Sequence, residues 1–140
     1  MMRKVIVSLM TVLCGLYGMV YAVDQDKEGE AVNAAQSWLA GIDVGNYSEA
    51  WNTAAGTIKT AVTLQQWEQT MSAVRRPLGK LTTREIGIKQ YLTSLPGAPD
   101  GEYVIIQFKT SFEFKKAAVE TVTVMREKEG IWRVSGYYIQ

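Results

Sequence analysis

The chain has 140 residues, 15 basic against 14 acidic side chains for a formal net charge of +1, no histidine and one cysteine. Charge this balanced gives no electrostatic case for nucleic acid or for an anionic lipid surface as partner. With no histidine and a lone thiol, Ser-His and Cys-His nucleophilic systems, dithiol redox chemistry and the usual zinc and copper ligand sets are excluded.

The first expected segment is a cleavable signal peptide over residues 1–22. Arg3 and Lys4 form a short basic start, residues 5–20 are almost unbroken apolar sequence, and Val20-Tyr21-Ala22 closes the run ahead of the polar stretch from Asp24 to Glu28. That is the order of a secretory signal. An apolar run of about sixteen residues is shorter than the roughly 20 that cross a bilayer, so cleavage is expected over a retained anchor. Cys14 is followed by Gly15 but preceded by Leu13 and sits in mid-run, a poor lipoprotein site. Cutting after Ala22 discards the only cysteine, leaves residues 23–140 as one domain with no membrane span, and moves the net charge to about −1. The expected location is the periplasm or the medium.

The first helix is expected from about Asp26 to Ile42. Val32, Ala35, Trp38, Leu39 and Ile42 recur at three- and four-residue steps, one apolar stripe. Val44-Gly45-Asn46 ends it, and a short second helix follows over 47–55. A third begins at Thr63, where Thr-x-x-Gln to Gln66 is a capping box. It should bury Leu64, Trp67, Met71 and Val74 before Pro77 and Gly79 stop it.

From Lys80 the period becomes two, the pattern of strands. Strands are expected over 81–93, 102–114, 117–127 and 131–139, with the Pro/Gly-rich segment 94–101 as a loop. Two-residue turns at Lys115-Lys116 and Glu129-Gly130 set the register. They place Phe112 opposite Val119, Thr110 opposite Thr121, Met125 opposite Val134 and Thr121 opposite Tyr138. Ile106, Phe108, Phe112, Val119, Met125, Val134 and Tyr138 then form the core face, and Glu113 and Glu120 alternate outward. The expected fold class is α+β, with N-terminal helices packed on one face of a curved four-stranded antiparallel sheet.

Helices followed by such a sheet resemble the NTF2-like (cystatin-like) cone. At motif level Trp38-Leu39, Asp43 to Tyr47, Trp67 through Arg75-Arg76-Pro77-Leu78-Gly79, the block Leu95 to Tyr103, Thr110 to Glu113, Glu120-Thr121-Val122 and Trp132 to Tyr138 resemble the bacterial family called domain of unknown function 4019. That resemblance covers essentially all of residues 23–140. It implies a small exported bacterial domain and supplies no catalytic residue.

No nucleotide loop of the Gly-x-Gly-x-x-Gly or Gly-x-x-x-x-Gly-Lys form exists, nor an Asp-x-Asp-x-Asp-Gly calcium loop, so no cofactor, metal site or catalytic residue is assigned. Two groups remain as ligand candidates. Arg84, with Ile86 and Ile88, is expected on the inner side of the first strand, either as an anion anchor or in a salt bridge to Glu68 or Glu85, the second being favoured. Trp38, Trp67, Thr121 and Tyr138, with Trp51 and Trp132, either line an apolar pocket or form the core, again the second being favoured. Outside, Ile105, Val122, Val124, Tyr137 and Ile139 are expected to cluster on the opposite sheet face as a candidate interface.

Three functions follow from this pattern. The leading one is a non-enzymatic exported module binding a partner protein or a second copy through the open sheet face. The alternatives are a binder of a small apolar ligand inside the cone, and an enzyme with an unrecognised acid–base site.

Overall fold

The computed structural model describes residues 10–140, with side chains described from Asp26 onward. Arg3, Lys4 and the start of the apolar run lie outside the described residues, as do the side chains around Ala22. Helix α1 (Met10–Asp43) is followed by α2 (Tyr47–Thr53), α3 (Gly56–Ala61) and α4 (Leu64–Arg75), then a 3-10 turn at Arg76–Leu78. The sheet follows as β1 (Leu81–Leu92), β2 (Tyr103–Phe112), β3 (Lys115–Arg126) and β4 (Trp132–Ile139). All neighbours pair antiparallel in the order β1-β2-β3-β4. The fold is α+β with an open, curved sheet. Among the described residues no helix is long and apolar enough to cross a membrane.

The helix ends follow their local chemistry. The α1 terminus is a Schellman motif: Asn46 N–H bonds the Gly41 carbonyl, Gly45 N–H bonds Ile42, and Gly45 has φ 81°, the left-handed region that glycine enters freely. The Thr63 capping box is formed, with Gln66 N–H donating to Thr63 Oγ1 at 3.2 Å and Thr63 N–H to Gln66 Oε1 at 3.0 Å. The α1 stripe Val32, Ala35, Trp38, Leu39 and Ile42 is buried. On α4 the buried set is Trp67, Met71 and Arg75. Val74, expected inside, is 41 % exposed, because the next position along continues the helical stripe one turn on from Met71. Helix α3, missing from the expected elements, bridges α2 to the edge of β4, where Ala55 N–H bonds the Val134 carbonyl at 2.8 Å.

The register of β3 corrects the sequence reading. The turn lies at Glu113-Phe114, two residues earlier than expected, Lys115 already pairs with Phe112, and a bulge between Thr110 and Phe112 makes the net shift of the β3 partners three residues. Thr110 therefore faces Ala118, Phe108 faces Glu120 and Ile106 faces Val122. An odd shift moves every side chain to the other face. Glu120, Val122 and Val124 point into the core, and Val119, Thr121 and Met125 point away from it. Between β3 and β4, Thr121 faces Tyr138 as expected, and Thr123 faces Gly136. A bulge then sets Val124, not Met125, against Val134. The reason is a longer turn: Glu127 N–H bonds Ile131, and Gly130, at φ 80°, closes three residues rather than two.

Candidate functional site

Arg84 is on the inner face of β1, opposite Thr110, as its alternation requires. Its partners are neither Glu68 nor Glu85. Glu85 lies across from Lys109 on the outer face, and Glu68 is exposed on α4. Instead Arg84 spans two carboxylates. Its Nη1 and Nη2 donate to Asp43 Oδ2 and Oδ1 at 2.7 and 2.9 Å, and its Nε and Nη2 donate to Glu120 Oε1 and Oε2 at 2.7 and 3.2 Å. Both contacts are bidentate, the arrangement that uses the planar guanidinium fork best.

Each partner comes from a different element. Asp43 is the last residue of α1, where the helix dipole disfavours a negative charge; two arginines offset that cost. Arg75, in the last turn of α4, donates Nη2 to Asp43 Oδ1 at 2.9 Å. Glu120, fully buried at 0 % exposure, also accepts from Thr110 Oγ1 at 2.7 Å and from the Tyr137 hydroxyl of β4. Two arginines balance two carboxylates, and α1, α4, β1, β2, β3 and β4 meet at one network.

Burial alone would push the Asp43 carboxyl up, but hydrogen bonds and charge from Arg84, then Arg75, outweigh it and hold it below the ordinary value. Burial pulls the Arg84 guanidinium down, and Asp43 and Glu120 more than reverse that. Burial raises the Tyr137 phenol, and the Glu120 charge and hydrogen bond raise it further. Arg75 is only 4 % exposed and its Nε and Nη1 have no acceptor among the described residues. Its guanidinium stacks 4.8 Å from the Phe112 ring centroid, so an aromatic face takes the place of a hydrogen bond.

A second polar cluster closes the other end of the sheet. Glu102 accepts from Lys27 Nζ at 2.6 Å, from the Tyr91 hydroxyl at 2.8 Å and from Arg126 Nη1 at 3.0 Å. These bonds, Lys27 first, hold its carboxyl down at about 2.

The tryptophans expected either to line a pocket or to form the core are core. Trp38 donates its indole N–H to the Ala50 carbonyl at 2.9 Å and Trp67 donates to Tyr47 at 2.8 Å. The two rings are 5.9 Å apart, and Tyr137 meets Trp38 edge-on at 5.3 Å. Thr121 and Tyr138, expected inward with them, are on the outer face, where Tyr138 is 52 % exposed. Of the expected outer cluster, Val122 and Val124 are fully buried in the core and Tyr137 points inward to Glu120. Ile139 pairs with Glu120 and shares its face, which leaves Ile105 on the outside. Ile88, expected inward beside Ile86, is turned out by the bulge at Gly87. Thus Arg84 is joined by Asp43, Arg75, Thr110, Glu120 and Tyr137, none of which the sequence assigns to it. An inward arginine needs an inward carboxylate, and that was the available signal.

A family model described as a protein of unknown function (DUF4019) matches residues 34–137. The chain belongs to the DUF4019 family. The match runs from mid-α1 to the β4 tyrosines, so it takes in Asp43, Arg75, Arg84, Thr110, Glu120 and Tyr137 together. Comparison with curated proteins and with solved structures gives no match. Membership therefore carries no activity to these residues, and their chemistry rests on the geometry alone. That geometry is a charge-balanced cross-link in which Glu120 is sealed, while Arg84 and Asp43 keep a small exposure.

Proposed function

We propose that this DUF4019 chain is an exported, non-enzymatic binding module that meets a partner protein or a second copy of itself through the outer face of its sheet. The observation that carries this reading is the state of Glu120, the one carboxylate on the inner face of the four strands. It has no exposure, and both its oxygens are engaged by Arg84, Thr110 and Tyr137. General acid–base work needs a group within reach of a substrate proton, and Glu120 has no such access. Tyr137 is pushed upward, away from a proton-accepting role near neutrality.

The outer face supplies what the interior lacks. A groove of about 660 Å³ crosses β1, β2 and β3, lined by Thr83, Glu85, Lys109, Ser111, Val119 and Gln140 among others. Beside it Ile88, Gln107, Thr121 and Tyr138 form a row across all four strands, with Ile88 and Tyr138 exposed. Apolar groups at the ends of a polar row suit a protein surface better than a small apolar ligand. The basic start and apolar run of residues 1–22 support export to the periplasm or beyond. The order of helices before a curved antiparallel sheet supports placing the fold among NTF2-like cones.

Native mass spectrometry of the protein recovered from the periplasm of producing cells tests the reading. The expected species begins at Val23 and retains a second copy or a bound protein. Tyr138→Glu and Lys109→Glu release it without changing circular dichroism or Tm. A bare monomer, identical in wild type and in both variants, overturns it.

A further inference from the structure

Strand β1 differs from the other three in how it is held. None of its 12 residues is buried, whereas β2 and β3 each contribute several to the core. The buried members of the apolar core lie on the helices and on β2, β3 and β4, and β1 adds only the flank of Tyr91. Ile86 and Ile88 stay exposed to water. The ladder to β2 is interrupted at Gly87, where Ile86 pairs with Phe108 and Ile88 with Gln107. A Cβ at Gly87 would sit 3.4 Å from the Gln107 carbonyl oxygen, so the two backbones run close at the bulge.

What fastens β1, beyond its backbone ladder, is concentrated near its two ends. Arg84 ties it to Asp43 of α1 and Glu120 of β3. Tyr91 ties it to Glu102, which Lys27 of α1 and Arg126 of β3 hold in turn. Lys89 stands 3.9 Å from Glu28 between them. The turn-rich segment 93–102 after the strand supplies a hinge, and Gly79 before it, held against the β2–β3 turn, is the fixed end.

We propose that β1 is a latch strand. It opens from the sheet as a unit while β2, β3, β4 and the helices stay folded, and the Arg84 and Tyr91 anchors set how often it opens. Sub-global openings of this kind belong to segments with few buried apolar contacts, and β1 is the strand with fewest. Opening bares the β2 edge, a row of free backbone donors and acceptors, without disturbing the apolar side chains that β2 buries under the helices.

Residue-resolved amide hydrogen exchange on the protein tests it. The β1 amides bonded to β2, and the β2 amides bonded to β1, should exchange at least about 100-fold faster than the β3–β4 ladder. The β2 amides bonded to β3 should stay with the slow set. Glu102→Gln should speed the fast set about tenfold further and leave the β3–β4 rates unchanged. Tyr91→Phe, which removes only the hydroxyl, gives the same selectivity and serves if the Gln variant does not fold. A single common rate for both sets overturns the latch. So does a variant that speeds both sets equally, or neither.

Discussion

Glu120 shows how one residue decides the reading of a whole strand. Both alternating sets on β3, Ala118-Glu120-Val122-Val124 and Val119-Thr121-Thr123-Met125, are about equally apolar. The period of two is plain in the sequence and the choice of face is not. Turning the charged residue outward is the sound default, since an isolated buried carboxylate is very costly. The structure reverses it because Arg84, Thr110 and Tyr137 converge on that carboxylate from three other strands, and the arginine that pairs with it lies 36 positions away in the sequence. No local pattern encodes that meeting. Removing one partner of such a buried pair leaves the others uncompensated, so Glu120→Ala should cost about 3–5 kcal/mol in urea unfolding. Truncating the half-exposed Arg133, which lies 3.3 Å from Glu127, should cost less than about 1 kcal/mol. Equal losses at the two sites would mean that the network contributes no more than a surface pair.

At the level of elements, the sequence was readable wherever the signal is short-range. The α1 stripe, the Thr63 capping box, the Gly45 stop and the alternation of β2 all appear where their local chemistry puts them. The hairpins were less readable because Lys115-Lys116 and Glu113-Phe114 can both serve as turns, and what selects the second is contact with a distant segment. Gly79 adopts φ 73° and ψ −156°, a region only glycine visits freely. A Cβ there would lie 2.6 Å from Glu113 Oε1 and 2.8 Å from Phe114 Cδ2. The Phe114 N–H also bonds the Leu78 carbonyl at 2.9 Å, so the end of the helical layer is clamped onto the β2–β3 turn. Gly97 has a similar φ of 76°, but a Cβ at that position would meet nothing within 4 Å. Gly79→Ala should therefore destabilise by about 2–4 kcal/mol, backbone strain and overpacking together. Gly97→Ala should cost about 1–2 kcal/mol from the left-handed backbone alone. Thermal melts of the pair separate the two contributions, and equal shifts in Tm would remove the clamp from the account.

At the scale of the whole molecule, the charge pattern makes a statement about pH. A chain without histidine has no side chain of the usual kind titrating between about pH 5 and 8, so stability should be nearly flat there. The acid limb comes from carboxylates whose folded pKa is depressed. Glu102 sits at about 2 against an ordinary 4.5, so the stability it contributes is complete above 4.5 and is lost as pH falls toward 2. Asp43, held low by Arg84 and Arg75, adds to the same limb below its ordinary 3.8. The alkaline limb has the opposite sign. Folding raises the Tyr137 phenol, so its contribution is complete below pH 10 and is lost as pH climbs above it. Urea midpoints should thus form a plateau from about pH 5 to 9 with a fall on each side. Glu102→Gln should flatten the acid limb between 4.5 and 2 while leaving the alkaline limb as it was, and Tyr137→Phe should do the reverse. Each variant thereby reports on one polar cluster: Glu102→Gln on the exposed anchor at the end of β1, Tyr137→Phe on the buried cross-link. An acid limb unchanged in Glu102→Gln would show that the Lys27–Glu102–Arg126 bonds are too well screened by solvent to bear on the stability of the fold.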